Sequence, residues 1–186
     1  FPDALAWRLK GWVEQEFQIP SAHVIVNAAH THYAPVLQVP GYGAGWSVDP
    51  GYQEEFEQAL RRGVRAALAD AREREIRYGF AAVPLGVNRR LTDPRHPGQC
   101  EMRANAAGFY DSQVPVLAFY DGGALAGLFY SCNCHPTSQD INAVSADYPG
   151  ALSRALKAAF GPAVHTLFAQ GTGASAKARF FDPQTL

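Results

Sequence analysis

The sequence predicts a mixed α/β fold in which a β-sheet is flanked by helices. Segments with apolar residues at helical spacing alternate along the chain with short runs rich in β-branched residues. Two apolar runs, 114–120 and 124–130, are separated only by Asp121-Gly122-Gly123, which is a strong hairpin signal. A hairpin joins antiparallel strands, so we expect a mixed rather than a purely parallel sheet.

Three segments have the pattern of amphipathic helices. Residues 2–17 carry apolar side chains at helical spacing. The second helix is expected to begin at Asp49 and Pro50, a capping carboxylate followed by proline at the first helical position, and to end near Arg74. The third is expected over 145–160, before a Gly-Pro pair that stops helices.

Short apolar runs between the helices predict the strands of the sheet. They cover residues 22–26, 76–83, 114–120, 124–130 and 164–169. Two loops rich in proline and glycine, 33–47 and 84–112, separate them, and loops this long are often functional. At 186 residues with 47% apolar composition, the chain is expected to form a single domain over 1–186.

Charge and composition exclude several functional classes. The net charge of −1 gives no electrostatic reason to expect nucleic acid as a partner. The sequence has no apolar run of the roughly 18 residues that a transmembrane helix needs. Three cysteines are an odd number, unlike a disulfide framework, and no secretory signal is visible, so a reducing compartment such as the cytoplasm is favoured.

Polar residues follow the ends of three predicted strands. His30 and His32 come after the first strand, His135 after the second strand of the hairpin, and Gln170-Gly171 after the last. Because open sheets bind ligands outside the carboxyl ends of their strands, we expect these residues to lie close together.

The spacing of the histidines favours a metal site. His30 and His32 would point to one face in an extended backbone, so both could bind one metal, or one could bind it while the other transfers protons. Each alone would more simply be an ordinary loop histidine, but the pair together with His135 favours a metal centre. Pro136 restricts the backbone at His135.

Two further features have open interpretations. Cys132 and Cys134 could join His135 in a structural zinc site, but their alternating strand positions favour small buried residues. The segment 171–177, rich in glycine, alanine and serine, could present backbone N–H groups to an oxyanion or could be a flexible end.

Taken in order, these motifs resemble those of the neutral, non-lysosomal ceramidase family, and they span about residues 22 to 171. The matching stretches are His30-Thr31-His32-Tyr33-Ala34-Pro35, Asn88-Arg89-Arg90, Val114 to Gly127, Cys134-His135-Pro136-Thr137-Ser138, Ala146-Asp147-Tyr148-Pro149-Gly150 and Phe168-Ala169-Gln170-Gly171.

The resemblance implies a ceramidase-like catalytic domain that hydrolyses, with zinc, an N-acyl amide bond to a long-chain amino alcohol, a step of sphingolipid metabolism. It assigns His30 and His135 as zinc ligands and His32 as a catalytic residue beside the metal. It also assigns Arg89, with Arg90 as the alternative, to binding of the reacting group. The substrate is expected to be a small-molecule or lipid-like amide.

The sequence also departs from the family pattern. Tyr33-Ala34-Pro35 stands where Ser-Gly-Pro is usual, and no serine role can be transferred to 172–177. The family's other two metal ligands, a glutamate and a tyrosine, belong to a later segment not found here. We therefore expect an incomplete portion of a larger catalytic domain or a divergent relative, with poor or no hydrolase activity as an isolated chain. The alternative is a non-catalytic binding module that keeps the scaffold and part of the site.

Asp147 is the last candidate. At the start of the predicted third helix a carboxylate is favoured by the helix dipole, and it could also orient a ligand imidazole through the free ring N–H. The alternative is that Asp147 only caps the helix.

Overall fold

The protein is described here from a computed structural model. It describes residues 2–37, 47–96, 98–139 and 141–179. The chain divides into two compact units, which are Phe1–Ala28 with Pro35–Glu73 and Ala29–Ala34 with Arg74–Leu186. The organisation of 1–186 as a single domain stays a prediction. No helix among the described residues is long and apolar enough to cross a membrane.

Two helices form the first unit, α1 (Asp3–Phe17) and α2 (Pro50–Ala69). The side chains of Leu5, Leu9, Trp12 and Val13 on α1 are buried, as the helical spacing predicted. The predicted start of α2 is confirmed, because the Asp49 side chain accepts a hydrogen bond from the Tyr52 N–H and Pro50 takes the first position.

Charged residues of α2 pair with α1 rather than forming a free basic stripe. Arg65 binds the Glu16 carboxylate at 2.6 Å, and Arg8 binds Glu57 at 2.8 Å. The guanidinium groups of Arg61 and Arg65 also lie 4.9 and 5.1 Å from the centre of the Trp12 ring, within the range of cation–π attraction. Arg61 and Arg65 of α2 therefore help to hold α2 against α1 in this unit.

A four-stranded mixed sheet dominates the second unit. Its strands, numbered along the chain and given in spatial order, are β1 (Glu75–Ala82), β5 (Gln113–Asp121), β6 (Ala124–Cys132) and β7 (His165–Gln170). The first three are antiparallel, and β7 runs parallel to β6. The mixed α/β class predicted from the sequence is therefore confirmed.

Local sequence explains how the central strands connect. The hairpin between β5 and β6 turns at Gly122 and Gly123, whose φ angles of 53° and 86° suit glycine. The parallel connection from β6 to β7 contains α3 (Asp147–Phe160), which packs on the sheet through a 2.6 Å hydrogen bond between Ser153 and Thr166. Because β6 and β7 are parallel, this crossover places their carboxyl ends side by side, with Cys132 opposite Gln170.

Two short two-stranded sheets lie in the segments predicted as irregular. They are formed by β2 (Gly86–Asn88) with β8 (Ala176–Ala178), and by β3 (Leu91–Thr92) with β4 (Cys100–Glu101). The first of these sheets brings the loop that follows β2 next to the segment that follows β7.

The predicted strand 22–26 is wrong. Its first residues lie in a 3-10 turn, Ser21–His23, and this segment joins no sheet in the described part of the chain. Ile25 is 89% exposed. A run of β-branched residues fits a strand only when a partner strand and a covering layer are present, and neither is supplied to this segment.

Candidate metal centre

Three imidazoles meet in the second unit. The possible ligand atoms of His30, His32 and His135 all lie within 4.8 Å of one another. The ring centroids are 4.5 Å apart for His30 and His135, and 4.8 Å apart for His32 and His135. The sequence predicted that His30 and His135 lie close enough to share one ion, and this proximity is confirmed.

His135 is held in place by its own backbone. It follows β6, as predicted, and its N–H donates to the carbonyl of Ala176 at 3.2 Å, which ties it to β8. Pro136 is fully buried, and His135 itself is only 7% exposed. The imidazole therefore stands on a part of the chain anchored by two strands.

His30 and His32 reach the site from a loop rather than from the end of a strand. His30 has a φ of 60°, a left-handed conformation that is costly for residues other than glycine and tends to occur at functional sites. Thr31, between the two histidines, donates a 2.9 Å hydrogen bond to the carbonyl of Ser145. A distant loop thus replaces the predicted strand as the support of this pair.

Arg89 lies beside His135, with its Nη2 atom 3.3 Å from His135 Nδ1. Its Nε donates to the carbonyl of Ala174 at 3.0 Å, and its backbone N–H donates to Ser175 at 2.8 Å. Arg90 shares the Ala174 carbonyl through a longer bond of 3.5 Å. Of the two arginines considered from the sequence, Arg89 is the one placed against an imidazole.

The surroundings of His135 and His32 disfavour the protonated forms of these two rings. Burial, and then the charge of Arg89 and the two neighbouring imidazoles, lowers the pKa of His135 to about 4. The pKa of His32 is also lowered, first by burial and then by His30 and Arg89, while Asp147 opposes the shift. A neutral imidazole has the free lone pair that a metal ligand needs, so little proton competition is expected at His135 near neutral pH.

Asp147 supports the segment that follows His135. Its carboxylate accepts hydrogen bonds from the backbone N–H and the hydroxyl of Ser138, at 2.8 and 2.7 Å, and from the N–H of Tyr148 at 2.5 Å. Its φ of 51° is left-handed. The bond to Tyr148 fits the predicted role at the start of the helix, whereas the bonds to Ser138 reach back towards His135 through the chain. Direct orientation of an imidazole by Asp147 stays a prediction.

Cys132 and Cys134 are buried free thiols. Burial raises the pKa of Cys132 to about 11 and that of Cys134 to about 12. Because a metal binds the thiolate, these shifts disfavour the structural zinc site considered from the sequence. The cysteines fit their other interpretation, as small apolar residues of the core.

The glycine-rich loop after β7 packs against the end of β6. A Cβ atom on Gly171 would lie 2.1 Å from Asn133 Oδ1, and one on Gly173 would lie 2.4 Å from Gln170 Nε2. The N–H groups of Gly171, Thr172 and Gly173 donate to Cys132, Asn133 and Gly171, respectively. These donors are used internally, so the loop supports the histidine segment rather than offering them to an oxyanion.

Sequence reasoning missed several residues that shape the site. Asn133 anchors the glycine-rich loop, Tyr33 and Gln139 join the two histidine segments by a hydrogen bond, and Ser138 binds the Asp147 carboxylate. Tyr33 was noticed only as a departure from the family pattern. The partners of Asn133 and Tyr33 are 39 and 106 residues away in sequence, so no local pattern could have revealed these bonds.

Solved structures of ceramidases share this fold. Neutral ceramidase from Pseudomonas aeruginosa superposes with a TM-score of 0.69 at 19% sequence identity, over 94% of this chain and 29% of that chain. A structure of a ceramidase complexed with C2 gives a TM-score of 0.70 at 19% identity, over 95% of this chain and 29% of that one. The fold is therefore ceramidase-like, and the chain spans less than a third of the length of these proteins.

No family model and no curated protein matches the chain.

Proposed function

We propose that this chain carries the metal-binding and proton-transfer residues of a zinc-dependent amide hydrolase. The observation that carries the proposal is the cluster of His30, His32 and His135, whose possible ligand atoms lie within 4.8 Å of one another. A set of imidazole nitrogen donors suits zinc, which binds imidazole at about 2.0–2.1 Å. The ceramidase-like fold adds support without defining the chemistry.

In this proposal His30 and His135 hold the ion. His135 is the more rigid ligand, because it is buried and tied to β8. When bound, zinc supplies a Lewis acid that polarises a carbonyl and lowers the pKa of a coordinated water. The lowered pKa of His135 keeps its ring uncharged across the neutral range.

His32 is the proposed proton carrier. It is more exposed than His135, and its Nε2 lies 2.9 Å from Nε2 of His135. Burial and neighbouring positive charge lower its pKa, so it is neutral and able to accept a proton near pH 7. The proposed role of Arg89, whose Nη2 lies 3.3 Å from Nδ1 of His135, is to hold negative charge that develops on the reacting carbonyl.

The proposed substrate is an amide with an N-acyl chain. The two solved structures that share the fold are described as ceramidases, and one is a complex with C2. Transfer of that substrate class to this chain rests on the fold together with the histidine cluster. A small soluble amide is the alternative within the same chemistry.

A metal titration tests the proposal. The purified chain is stripped with a chelator, and its zinc affinity is measured by competition with a chromophoric chelator. His30→Ala and His135→Ala should abolish most of the binding, whereas His165→Ala, an exposed histidine on β7, should leave it unchanged. Equal affinity in all four proteins would overturn the metal centre and favour the non-catalytic scaffold.

Activity is measured separately on an N-acyl amino alcohol and on a simple amide, with the zinc-loaded chain. We expect slow turnover or none, because two imidazole ligands are fewer than the three protein ligands usual in catalytic zinc sites. Fast zinc-dependent turnover that disappears in His30→Ala would show that the site is complete within these residues, and that our view of it as partial is wrong.

A further inference from the structure

The two segments that carry the histidines are joined by hydrogen bonds that none of the proposed catalytic roles uses. On one side is Tyr33, directly after His32. Its hydroxyl hydrogen-bonds the carbonyl of Gln139 and accepts from the Gln139 N–H at 3.2 Å. Its own carbonyl accepts from the N–H of Ser145 at 2.9 Å. Tyr33 is thus held at both its side chain and its backbone.

On the other side is Asp147. Its carboxylate takes both the N–H and the hydroxyl of Ser138, the residue before Gln139. Its own N–H donates to the hydroxyl of Ser145 at 3.0 Å. Asp147 therefore links Ser145, which binds the Tyr33 backbone, to Ser138 in the segment that begins at His135.

We propose that Tyr33 is a positioning residue that sets the separation of the His32 and His135 imidazoles, with Asp147 as the anchor at the other end. Tyr33 follows His32 in the chain, and Gln139 lies four residues after His135. The bond from the Tyr33 hydroxyl to Gln139 therefore closes a short path between the two rings. The clamp is defined here as Tyr33, Ser138, Gln139, Ser145 and Asp147.

Backbone strain explains why a clamp is needed. His30 and Asp147 both have left-handed φ angles, 60° and 51°, which residues with a Cβ rarely adopt. Such conformations persist only when surrounding bonds fix them. The His30–Tyr33 segment belongs to no strand, so its bonds to Gln139 and Ser145 take the place of a sheet ladder.

The consequence for metal binding rests on the proposed function, but the geometric claim does not. Without metal, the clamp should support the direct 2.9 Å contact between the two Nε2 atoms and keep the ring centroids 4.8 Å apart. With metal, loosening the clamp should lower the metal affinity, because the imidazoles are no longer held in one arrangement before the metal binds. Residues behind a metal ligand typically change its affinity by about 10–100-fold, and we expect about tenfold for Tyr33→Phe.

The test uses Tyr33→Phe, which removes one oxygen and keeps the ring. Tyr78→Phe is the matched control, because Tyr78 lies on β1 in the same unit and is 70% exposed. The primary readout is the nuclear Overhauser effect between the ring protons of His32 and His135 in metal-free protein. We expect the same intensity in the wild type and in Tyr78→Phe, and a clearly weaker effect in Tyr33→Phe.

The second readout is the visible spectrum and affinity of bound cobalt(II), which reports coordination geometry. Tyr33→Phe should alter both, and Asp147→Asn should do the same. If Asp147→Asn does not fold, Ser138→Ala removes one bond to the same carboxylate and replaces it in the series. A wild-type chain that binds no cobalt or zinc overturns the proposed function alone, because the proton readout needs no metal. If folded Tyr33→Phe shows the same nuclear Overhauser effect between His32 and His135 as the wild type, the proposed positioning role of Tyr33 is wrong.

Discussion

Nη2 of Arg89 lies 3.3 Å from Nδ1 of His135. A guanidinium group can only donate a hydrogen bond, so in a hydrogen bond between these two atoms Nδ1 is the acceptor. A neutral ring with Nδ1 as acceptor carries its proton on Nε2, which faces Nε2 of His32 at 2.9 Å. This contact favours the His135 tautomer with its proton on Nε2, whose N–H would donate a hydrogen bond to Nε2 of His32. If Nε2 of His135 held a metal, the ring proton would have to move to Nδ1 and the hydrogen bond from Arg89 would be lost.

Replacement of Arg89 by methionine should raise the pKa of His135. Burial is the largest cause of its low pKa of about 4, and the charge of Arg89 is the next. Removing the charge leaves the burial, so the new value should lie above 4 and stay below the ordinary 6.5. The measurement is a proton NMR titration of the His135 ring in chelator. Arg89→Lys keeps the charge and is the control, and an unchanged pKa in Arg89→Met would contradict this electrostatic account.

The roles of His30 and His32 should separate under mutation. If His32 transfers protons, His32→Ala should abolish zinc-dependent turnover but lower zinc affinity less than His30→Ala does. Loss of a ligand should exceed the roughly 10–100-fold cost of altering a residue behind one. Chelator competition gives the affinities, and single-turnover assays give the rates. Equal losses of affinity in the two variants would make His32 a third ligand, because its possible ligand atom lies in the same 4.8 Å cluster.

The histidine cluster should make the metal-free protein less stable in mild acid. The pKa of His135 is about 4 in the folded protein and near 6.5 when unfolded. Between these values the unfolded chain binds a proton that the folded chain does not, so the free energy of unfolding falls as pH drops from about 6.5 to about 4. The contribution is on the order of 2 kcal/mol, and the lowered pKa of His32 acts in the same direction.

Urea unfolding at pH 7 and pH 5, in chelator, measures this dependence. His135→Gln removes the titrating ring and keeps a polar side chain, so its loss of stability between the two pH values should be smaller than that of the wild type. The quantity compared is the change in the free energy of unfolding between the two pH values, so the contributions of the other histidines, common to both proteins, cancel. Identical slopes would show that His135 is not the group responsible.

Local patterns in the sequence were sufficient to predict the helices, the hairpin and the position of His135. Asp49 and Pro50 start α2 through contacts within one helical turn, and the two glycines between β5 and β6 form the hairpin turn themselves. Such short-range effects can be read from neighbouring residues. The segment 22–26 failed because a strand depends on a partner that its own residues do not specify.

The site was only partly accessible to the same reasoning. The convergence of His30 and His135 followed from expected strand ends, although only the strand before His135 exists. The bonds from Tyr33 to Gln139 and from Asp147 to Ser138 depend on the tertiary fold. Tyr33 attracted notice only as a departure from a family pattern, and its partners could not be read from the chain around it.

Gly171→Ala should destabilise the second unit. A Cβ at this position would lie 2.1 Å from Asn133 Oδ1, 2.9 Å from Ser131 Oγ and 3.1 Å from the backbone oxygen of Cys132. The side-chain atoms can shift, but Asn133 already binds the N–H of Thr172 at 2.8 Å, and the backbone oxygen cannot move without disturbing β6. Overpacking of this kind typically costs about 1–3 kcal/mol.

The matched control for this substitution is Gly79→Ala. Gly79 lies within β1 in the same unit, and an added Cβ there meets nothing within 4 Å. Where the backbone conformation is compatible, alanine at such a site is expected to be neutral or slightly stabilising, because it restricts the unfolded chain. Urea unfolding of the three metal-free proteins should therefore show a loss of stability only in Gly171→Ala.

Because Asn133 lies two residues before His135, Gly171→Ala should also weaken zinc binding, whereas Gly79→Ala should not. A Gly171→Ala protein as stable as the wild type would show that Asn133 and Ser131 yield freely, and that the close packing of this loop does not support the histidine segment.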